Sequence, residues 1–540
     1  MSFDDHSKIP ETSGSMESTK LSKARDTWGS RLGVIMAVAG SAIGLGNFLR
    51  FPAKVAANSG GAFMIPYFIS LLLLGIPLMW IEWTLGRFGG GFGHGTAPGV
   101  FHSVWQKNRF IKYFGIIGIF GPMVIFIYYT YIESWTLAYS FFSLMGKYDR
   151  LVDQTGMKSF LSAFQGLESN EYFHNLGWAY GFFLLTFVAN AWVIYHGIKG
   201  GIERFCKWAL PLLFFFAFVL FFRVLSLGAP DPAKPDWNIF HGFGFVWNPD
   251  FSKLLSAKVW LEAAGQIFFT LSVGIGVILT YASYLKKGDD VVLSGTTAAA
   301  TNELAEVILG GSIILPAAFV FFGPVEIQSV AHSGVFNLGF VTMPLILNHL
   351  PLSHGMGFFW FFLLFLAGIT SSVSLAQPAV AFLEDEFNLK RNKAVAIFTV
   401  AAFILCQPAI FFLKNGVVDE LDFWGGTFFL VVFATVEVIL FSWVFGMNKA
   451  WDEIHHGADL QVPIIYKFII KYITPLFLFF ILGMWFFQEW IPIIFMRNVA
   501  PENQPYILGT RIGLLAMFVA LAVLVKIAWR GKSLPKAVKQ

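Results

Sequence analysis

Ala39-Gly40-Ser41-Ala42-Ile43-Gly44-Leu45-Gly46-Asn47 and, in the other half of the chain, Ser272-Val273-Gly274-Ile275-Gly276 interrupt two stretches that are otherwise apolar enough to span a bilayer. A membrane helix satisfies every backbone group internally, because lipid offers no partners. Glycines clustered in mid-span relax that rule. The freed carbonyls and N–H groups then need another partner, and in a polar cavity that partner can be an ion or a solute. One such break in each half of a chain points to a solute site near mid-membrane in a secondary transporter.

The rest of the chain agrees that the bilayer is its solvent. Of 540 residues, 56% are hydrophobic and only 13% charged, against about 25% charged in soluble domains. The mean hydropathy is +0.65. A net charge of +4 is small for this length, and no basic domain with base-stacking aromatics stands out, so no nucleic-acid partner is expected. The 63 Phe and 18 Trp read as lipid-facing and helix-packing surface, with some Trp and Tyr as interfacial anchors. Cys206 and Cys406 fall near the cytoplasmic face and inside a span, so no disulfide is expected. The 11 His show no metal-ligand spacing. Residues 1–27 lack an apolar signal-peptide core and read as a flexible cytoplasmic tail.

A span needs about 20 apolar residues. Twelve stretches qualify: 31–55, 62–86, 111–143, 176–196, 199–224, 258–284, 290–322, 356–386, 393–413, 421–446, 465–490 and 506–529. The expected organisation is a cytoplasmic tail over 1–27, a transmembrane domain over 28–530 and a cytoplasmic tail over 531–540. With the N-terminus inside, most of the 37 Lys and Arg fall on the inner side, among them Arg87, Lys107, Arg109, Lys199, Arg204, Lys286, Lys390 and Arg391. That is the positive-inside pattern, and it puts both termini in the cytoplasm. The breaks lie in spans 1 and 6. Five spans apart is an odd number, so a repeat of spans 1–5 by spans 6–10 is inverted in the membrane. Segment 324–355 reads as an outer loop with short helices over the cavity.

In span 8, Ala367, Thr370 and Ser371 share one helical face. Two hydroxyls beside a carbonyl suit a small hard cation. Spacing alone favours the alternative, in which the hydroxyls bond back to the preceding turn. In span 7, Asn302 and Glu306 lie one turn apart, with Glu303 adjacent. A carboxylate at this depth is costly and reads as functional for Glu306; Glu303 faces water if the span starts later. Glu82 and Glu133 read as structural hydrogen-bond anchors. Glu262 lies a turn outside Gln266, in a wet vestibule. No nucleophile elbow, phosphate loop or zinc motif is present, so an enzyme is not expected.

Trp28-Gly29-Ser30-Arg31, the run from Ala39 to Pro52, Gly60-Gly61-Ala62-Phe63, Gly75 to Glu82, Gln266 to Ser272 and Asp422-Phe423-Trp424 closely resemble the neurotransmitter:sodium symporter family. The match runs from about residue 25 to 530 and is closest to the bacterial amino-acid branch, its leucine-carrying members above all. The resemblance implies an all-α integral membrane protein of twelve helices, an inverted repeat of spans 1–5 and 6–10, and broken helices 1 and 6. It implies two sodium ions. The first would meet the Ala42 carbonyl, the Asn47 and Asn302 amide oxygens, Thr270 and the substrate's carboxylate. The second would meet the Gly40, Ile43 and Ala367 carbonyls and the Thr370 and Ser371 hydroxyls, which reverses the reading from spacing. The substrate carboxylate would meet the Leu45 and Gly46 N–H groups and the Tyr129 hydroxyl. Its ammonium would meet the Ala42, Phe269 and Thr270 carbonyls and the Ser272 hydroxyl. Its side chain would lie among Ile125, Ile275, Leu375, Phe269 and Ser371, with Ser41 nearby.

Gly44 leaves space where monoamine carriers of the family have an aspartate, which favours a substrate that brings its own carboxylate. Two positions depart from the leucine-carrying pattern: Ile275 replaces a phenylalanine and Ser41 an asparagine. Both weaken the case for leucine, and losing the ring admits a bulkier side chain. Glu306 resembles the carboxylate that stands in for chloride. The family's outer gate pairs an arginine with an aspartate, here Arg50 and Asp422; its inner gate maps to Arg25 and Asp385, beside Trp28. The chain is therefore expected to be a multi-pass plasma-membrane symporter. It would import a neutral, hydrophobic amino acid with sodium by alternating access, independently of chloride. The expected partners are the substrate and the bilayer, and a homodimer is admissible.

Overall fold

In the computed structural model, residues 26–58, 60–332 and 334–530 are described. Among them the secondary structure is helical throughout, with no strand. The tails, most of residues 1–27 and all of 531–540, lie outside the described residues, as does Arg25 of the expected inner gate.

Ten helices are long and apolar enough to cross a membrane. An eleventh span is the bent pair Arg31–Ala42 and Gly46–Ala57, which turns by 46°. The twelfth is span 6, in two pieces, Ala257–Thr270 and Val277–Ala282. The others are Gly61–Gly90 (span 2), Ile111–Leu144 (3), Gly177–Tyr195 (4), Ile198–Leu225 (5), Val291–Gln328 (7), Ser353–Phe387 (8), Arg391–Phe411 (9), Val417–Val444 (10), Ile465–Gln488 (11) and Gln504–Ala528 (12). Each begins and ends within about four residues of its expected bounds, except span 7, which continues past a break at Gly323 to Gln328 where 322 was expected.

Local chemistry sets the ends that matter for the site. Span 1 starts where Ser30 Oγ accepts from the Gly33 N–H at 3.0 Å, an N-cap. It stops at Ala42 because Ile43 turns extended (φ −75°, ψ 93°). Span 7 starts at Asp290, whose Oδ1 accepts from the Leu293 N–H at 2.9 Å. The other oxygen of Asp290 pairs with Arg31 at 2.8 Å, tying the starts of spans 1 and 7 on one face of the molecule. Between spans 7 and 8 a short helix over 335–348 packs on the far half of span 1. It lies within the segment 324–355 expected as an outer loop with short helices, whose first residues instead continue span 7 to Gln328.

Packing divides the spans into two groups. Spans 3 and 8 share the most extensive contact, and spans 4 and 9 pack on them and on each other. Spans 1, 2, 6 and 7 form the second group, with span 2 against both 6 and 7. Pairs 2–7, 3–8 and 4–9 are counterparts in an inverted repeat, and each pair is in contact, as a pseudo-two-fold axis between them requires. Span 12 is apolar yet only 17% buried, the reverse of a soluble core helix and the mark of a lipid-facing one. Cys206 and Cys406 are both buried and free.

Candidate functional site

The two broken helices meet in mid-molecule, the far half of span 1 beside the first piece of span 6 and the near half beside the second. Spans 3 and 8 close the other side. Between them lies a cavity lined by Ser41, Ala42, Gly44, Gly46, Asn47, Ile125, Tyr129, Phe269, Ser272, Ile275, Ser371, Ser374 and Leu375.

The freed groups of span 1 turn to side chains at this cavity. The Gly44 N–H donates to Asn47 Oδ1 at 2.8 Å, and the Leu45 N–H to the Tyr129 hydroxyl at 3.0 Å. Because Tyr129 accepts there, its own hydrogen is left to donate elsewhere. The Phe269 ring packs against Gly46, where an added Cβ would stand 2.6 Å from a ring carbon. Only glycine permits that approach. The Ser272 hydroxyl donates to the Ser41 carbonyl at 3.0 Å.

Polar groups gather at two points. Asn47 Nδ2 lies 3.2 Å from Thr270 Oγ1 and 2.7 Å from the Asn302 amide. The Asn302 amide fits its neighbours with its nitrogen toward the Ala42 and Thr270 carbonyls, 3.3 Å from each, and its oxygen accepting from the Thr270 hydroxyl at 3.0 Å. A turn away, Ser371 Oγ is 3.4 Å from the Gly40 carbonyl and 3.1 Å from the Ser41 and Ala367 carbonyls. Thr370 Oγ1 is 3.1 Å from the Ala367 carbonyl and 2.9 Å from that of Leu366. Both hydroxyls thus bond back to the preceding turn, as spacing alone suggested, and Ser371 also spans the gap to span 1. Ile43 lies in the break itself, its N–H on the Ala39 carbonyl at 2.7 Å. The neutral oxygens around Ser371 form a donor set suited to a hard cation. At the first point the expected Asn47 oxygen is turned away, accepting from the Gly44 N–H, and its Nδ2 faces the group instead.

Glu306 is fully buried beside the first cluster. It accepts from Gln266 Nε2 at 2.9 Å and from Asn47 Nδ2 at 3.1 Å. Glu303 is half-buried, and the Tyr67 hydroxyl donates to it at 2.9 Å. Glu82 accepts from the Gly274 N–H inside the span 6 break. Glu133 accepts from Asn190 Nδ2 at 3.1 Å. Both act as anchors.

Three expectations need correction. Arg50 and Asp422 flank Tyr128 but do not pair. The Arg50 guanidinium lies over the Phe269 ring at 4.5 Å, and Asp422 accepts from the Tyr128 hydroxyl at 2.6 Å. A cation over a ring face and a phenol on a carboxylate satisfy both charges separately. Lys54 pairs with Glu262 on this face, so Glu262 is not simply solvated. Gly44 does not leave open room: an added Cβ would stand 2.8 Å from Ser371 Oγ and 2.9 Å from the Tyr129 hydroxyl.

On the opposite face, Trp28 Nε1 donates to the Tyr281 carbonyl at 2.9 Å, its ring edge-on to Tyr281 at 5.3 Å. Asp385 lies half-buried near the end of span 8. Sequence reading missed Ser374 in the cavity wall. Its signal was its place one turn beyond Thr370 and Ser371 on the same face.

Comparison with known proteins gives one consistent result. The family model described as the sodium:neurotransmitter symporter family matches residues 25–150 and 154–530. An uncharacterised sodium-dependent transporter of Methanocaldococcus jannaschii is 31% identical over 461 residues, covering 84% of this chain and 89% of the relative. The sodium- and chloride-dependent glycine transporter 2 of Xenopus laevis is 27% identical over 557 residues, covering 91% of this chain and 68% of that protein. Among solved structures, that of MhsT in complex with L-phenylalanine superposes with a TM-score of 0.73 at 28% identity, covering 85% of this chain and 99% of that one.

Proposed function

The chain belongs to the sodium:neurotransmitter symporter family, and on that premise we propose that it imports a neutral, hydrophobic amino acid with two sodium ions, by alternating access and without chloride. Family members are transporters, and this chain is not an enzyme. The observation that carries the reading is the crowding of neutral oxygens around Ser371, beside a cavity that offers no carboxylate of its own to a substrate.

In this reading the first sodium takes the Ala42 carbonyl, the Asn47 and Asn302 amide oxygens, Thr270 and the substrate's carboxylate. The second takes the Gly40, Ile43 and Ala367 carbonyls with the Thr370 and Ser371 hydroxyls. The carboxylate also meets the Leu45 and Gly46 N–H groups and the hydrogen that Tyr129 has free. The ammonium meets the Ala42, Phe269 and Thr270 carbonyls and Ser272. Sharing the carboxylate between sodium and peptide couples ion to solute: neither site is complete without the other occupant. Each charge moved inward through 100 mV contributes about 2.3 kcal/mol, enough to drive concentrative uptake.

Ile125, Ile275 and Leu375 make the side-chain pocket apolar. MhsT, whose solved complex holds L-phenylalanine, is a relative consistent with an aromatic or aliphatic cargo. Glu306 supplies a fixed negative charge beside the first sodium, the place where an anion would otherwise be needed. The Lys and Arg bias supports cytoplasmic termini, with Trp28, Arg25 and Asp385 at the inner gate and Arg50 and Asp422 at the outer.

Purified protein in proteoliposomes tests this. Labelled neutral amino acids should accumulate under an inward sodium gradient, stop when sodium is replaced by potassium or choline at fixed pH, and continue when chloride is replaced by gluconate. Uptake driven by a pH gradient without sodium overturns the coupling. Arrest in gluconate overturns the role of Glu306, which chloride stimulation of Glu306→Ser would otherwise support.

A further inference from the structure

One wall of the cavity is built of hydroxyls whose hydrogens are already used. Ser374 Oγ lies 2.6 Å from the Ser371 carbonyl and 2.7 Å from Ser41 Oγ. A carbonyl can only accept, so the Ser374 hydrogen goes to Ser371 and the Ser41 hydrogen must go to Ser374 Oγ. The Ser272 and Ser371 hydrogens go to backbone carbonyls, the Ser41 carbonyl among them. What remains is acceptor capacity on Ser41: neither lone pair of its Oγ has a donor among the described residues. Ser41 is buried, at 4% exposed, and lines the cavity. The residues that complete the side-chain pocket, Ile125, Ile275 and Leu375, are hydrocarbon and supply no donor.

A buried acceptor without a donor is destabilising, and a ligand that brings a donor relieves it. A hydrocarbon of the same shape does not. The pocket thus offers an apolar body with an acceptor set in one wall.

We propose that Ser41, held by Ser374, determines specificity by selecting amino acids whose apolar side chain carries an N–H or O–H donor, such as an indole or a phenol, over isosteres that lack it. This rests on the cavity being the amino-acid site argued above. It narrows the substrate class from hydrophobic to apolar with one donor. It also explains why Ser41 and Ser374 stand in contact: Ser374 takes the Ser41 hydrogen, so that Ser41 presents lone pairs to the cavity.

Competition binding to the full chain in sodium tests it with two matched pairs: tryptophan against 3-(benzothiophen-3-yl)alanine, and tyrosine against phenylalanine. In the wild type the donor-bearing member of at least one pair should bind about fivefold tighter, the worth of one neutral hydrogen bond. Ser41→Ala should bring that ratio to one. Ser41→Thr, which keeps a hydroxyl, should keep it. Equal binding within both wild-type pairs overturns the proposal even if the alanine variant fails to fold, as does a ratio that survives the alanine substitution. If no amino acid binds in sodium at all, the reading of the cavity falls first and the proposal with it. Sodium-dependent binding without discrimination overturns the role of Ser41 alone.

Discussion

The breaks in spans 1 and 6 look alike in sequence and are held in opposite ways. In span 1 the freed N–H groups of Gly44 and Leu45 bond to Asn47 and Tyr129, side chains that line the cavity. In span 6 the Gly274 N–H bonds to Glu82 of span 2, a carboxylate outside that lining. The span 6 backbone takes left-handed φ at Ser272 (54°), Gly274 (74°) and Gly276 (84°). It is also hemmed by other backbone: an added Cβ would stand 2.6 Å from the Leu430 carbonyl at Gly274 and 2.7 Å from the Gly118 carbonyl at Gly276. The break in span 1 is therefore held by side chains that also line the cavity, while the break in span 6 is fixed to the scaffold of spans 2, 3 and 10. A ligand that competes for Asn47 and Tyr129 acts on span 1 directly. It meets span 6 at Phe269, Ser272 and Ile275, which line the cavity.

The largest expected effect follows from that rigidity. Gly276→Ala puts a side chain at a left-handed φ and against span 3 backbone. Strain of about 1–3 kcal/mol and a clash of about 1–3 kcal/mol should together lower the melting temperature of the detergent-solubilised protein sharply or abolish folded yield. Gly44→Ala is the matched control in span 1. Its Cβ would meet the ends of two side chains, Ser371 and Tyr129, which can turn aside. It should keep the fold and lose amino-acid binding. Equal damage to folding at both positions would erase the distinction between the breaks.

Much of this architecture is legible in the amino-acid sequence. Glycine placement marks both breaks, because glycine in mid-span has few other uses, and hydropathy fixes the twelve spans to within about four residues, the far end of span 7 excepted. What the sequence does not carry is which group faces which across the cavity. Arg50 over Phe269 rather than on Asp422, Lys54 on Glu262, and the filling of the room at Gly44 by Tyr129 and Ser371 all depend on how separate spans are rotated against one another. Ser374 is hidden for the same reason. On span 8 it is one more small polar residue, and only the approach of Ser41 from span 1 makes it part of the site.

A middle-sized effect tests whether the side chains that hold the span 1 break also hold the ligand. Tyr129→Phe keeps the ring and removes both the acceptor for the Leu45 N–H and the donor proposed for the substrate carboxylate. A hydrogen bond to a charged group contributes about 1.5–3 kcal/mol. Sodium-dependent binding of the amino acid, followed by competition or calorimetry, should weaken by roughly one to two orders of magnitude while the protein still elutes as a folded species. A melting temperature that falls with no change in affinity would make Tyr129 a structural prop for the break and nothing more.

The smallest effect comes from a second place, beside Ser272, where the rigid break lines the cavity. Ile275 sits between Gly274 and Gly276, and its side chain faces the cavity from a backbone that cannot retreat. A larger side chain here must therefore take its volume from the pocket and not from the scaffold. Ile275→Phe should move preference toward smaller amino acids, by about 1 kcal/mol per methylene excluded. That is a several-fold change in the ratio of affinities for a bulky and a small neutral amino acid, with sodium dependence kept. The same enlargement at a yielding wall would leave the ratio unchanged, because the wall would shift to make room. An unchanged ranking in Ile275→Phe would then mean either that the span 6 break yields after all or that the side chain lies elsewhere. Measuring the ranking together with the melting temperature separates the two, since a break that yields should show the strain as lost stability.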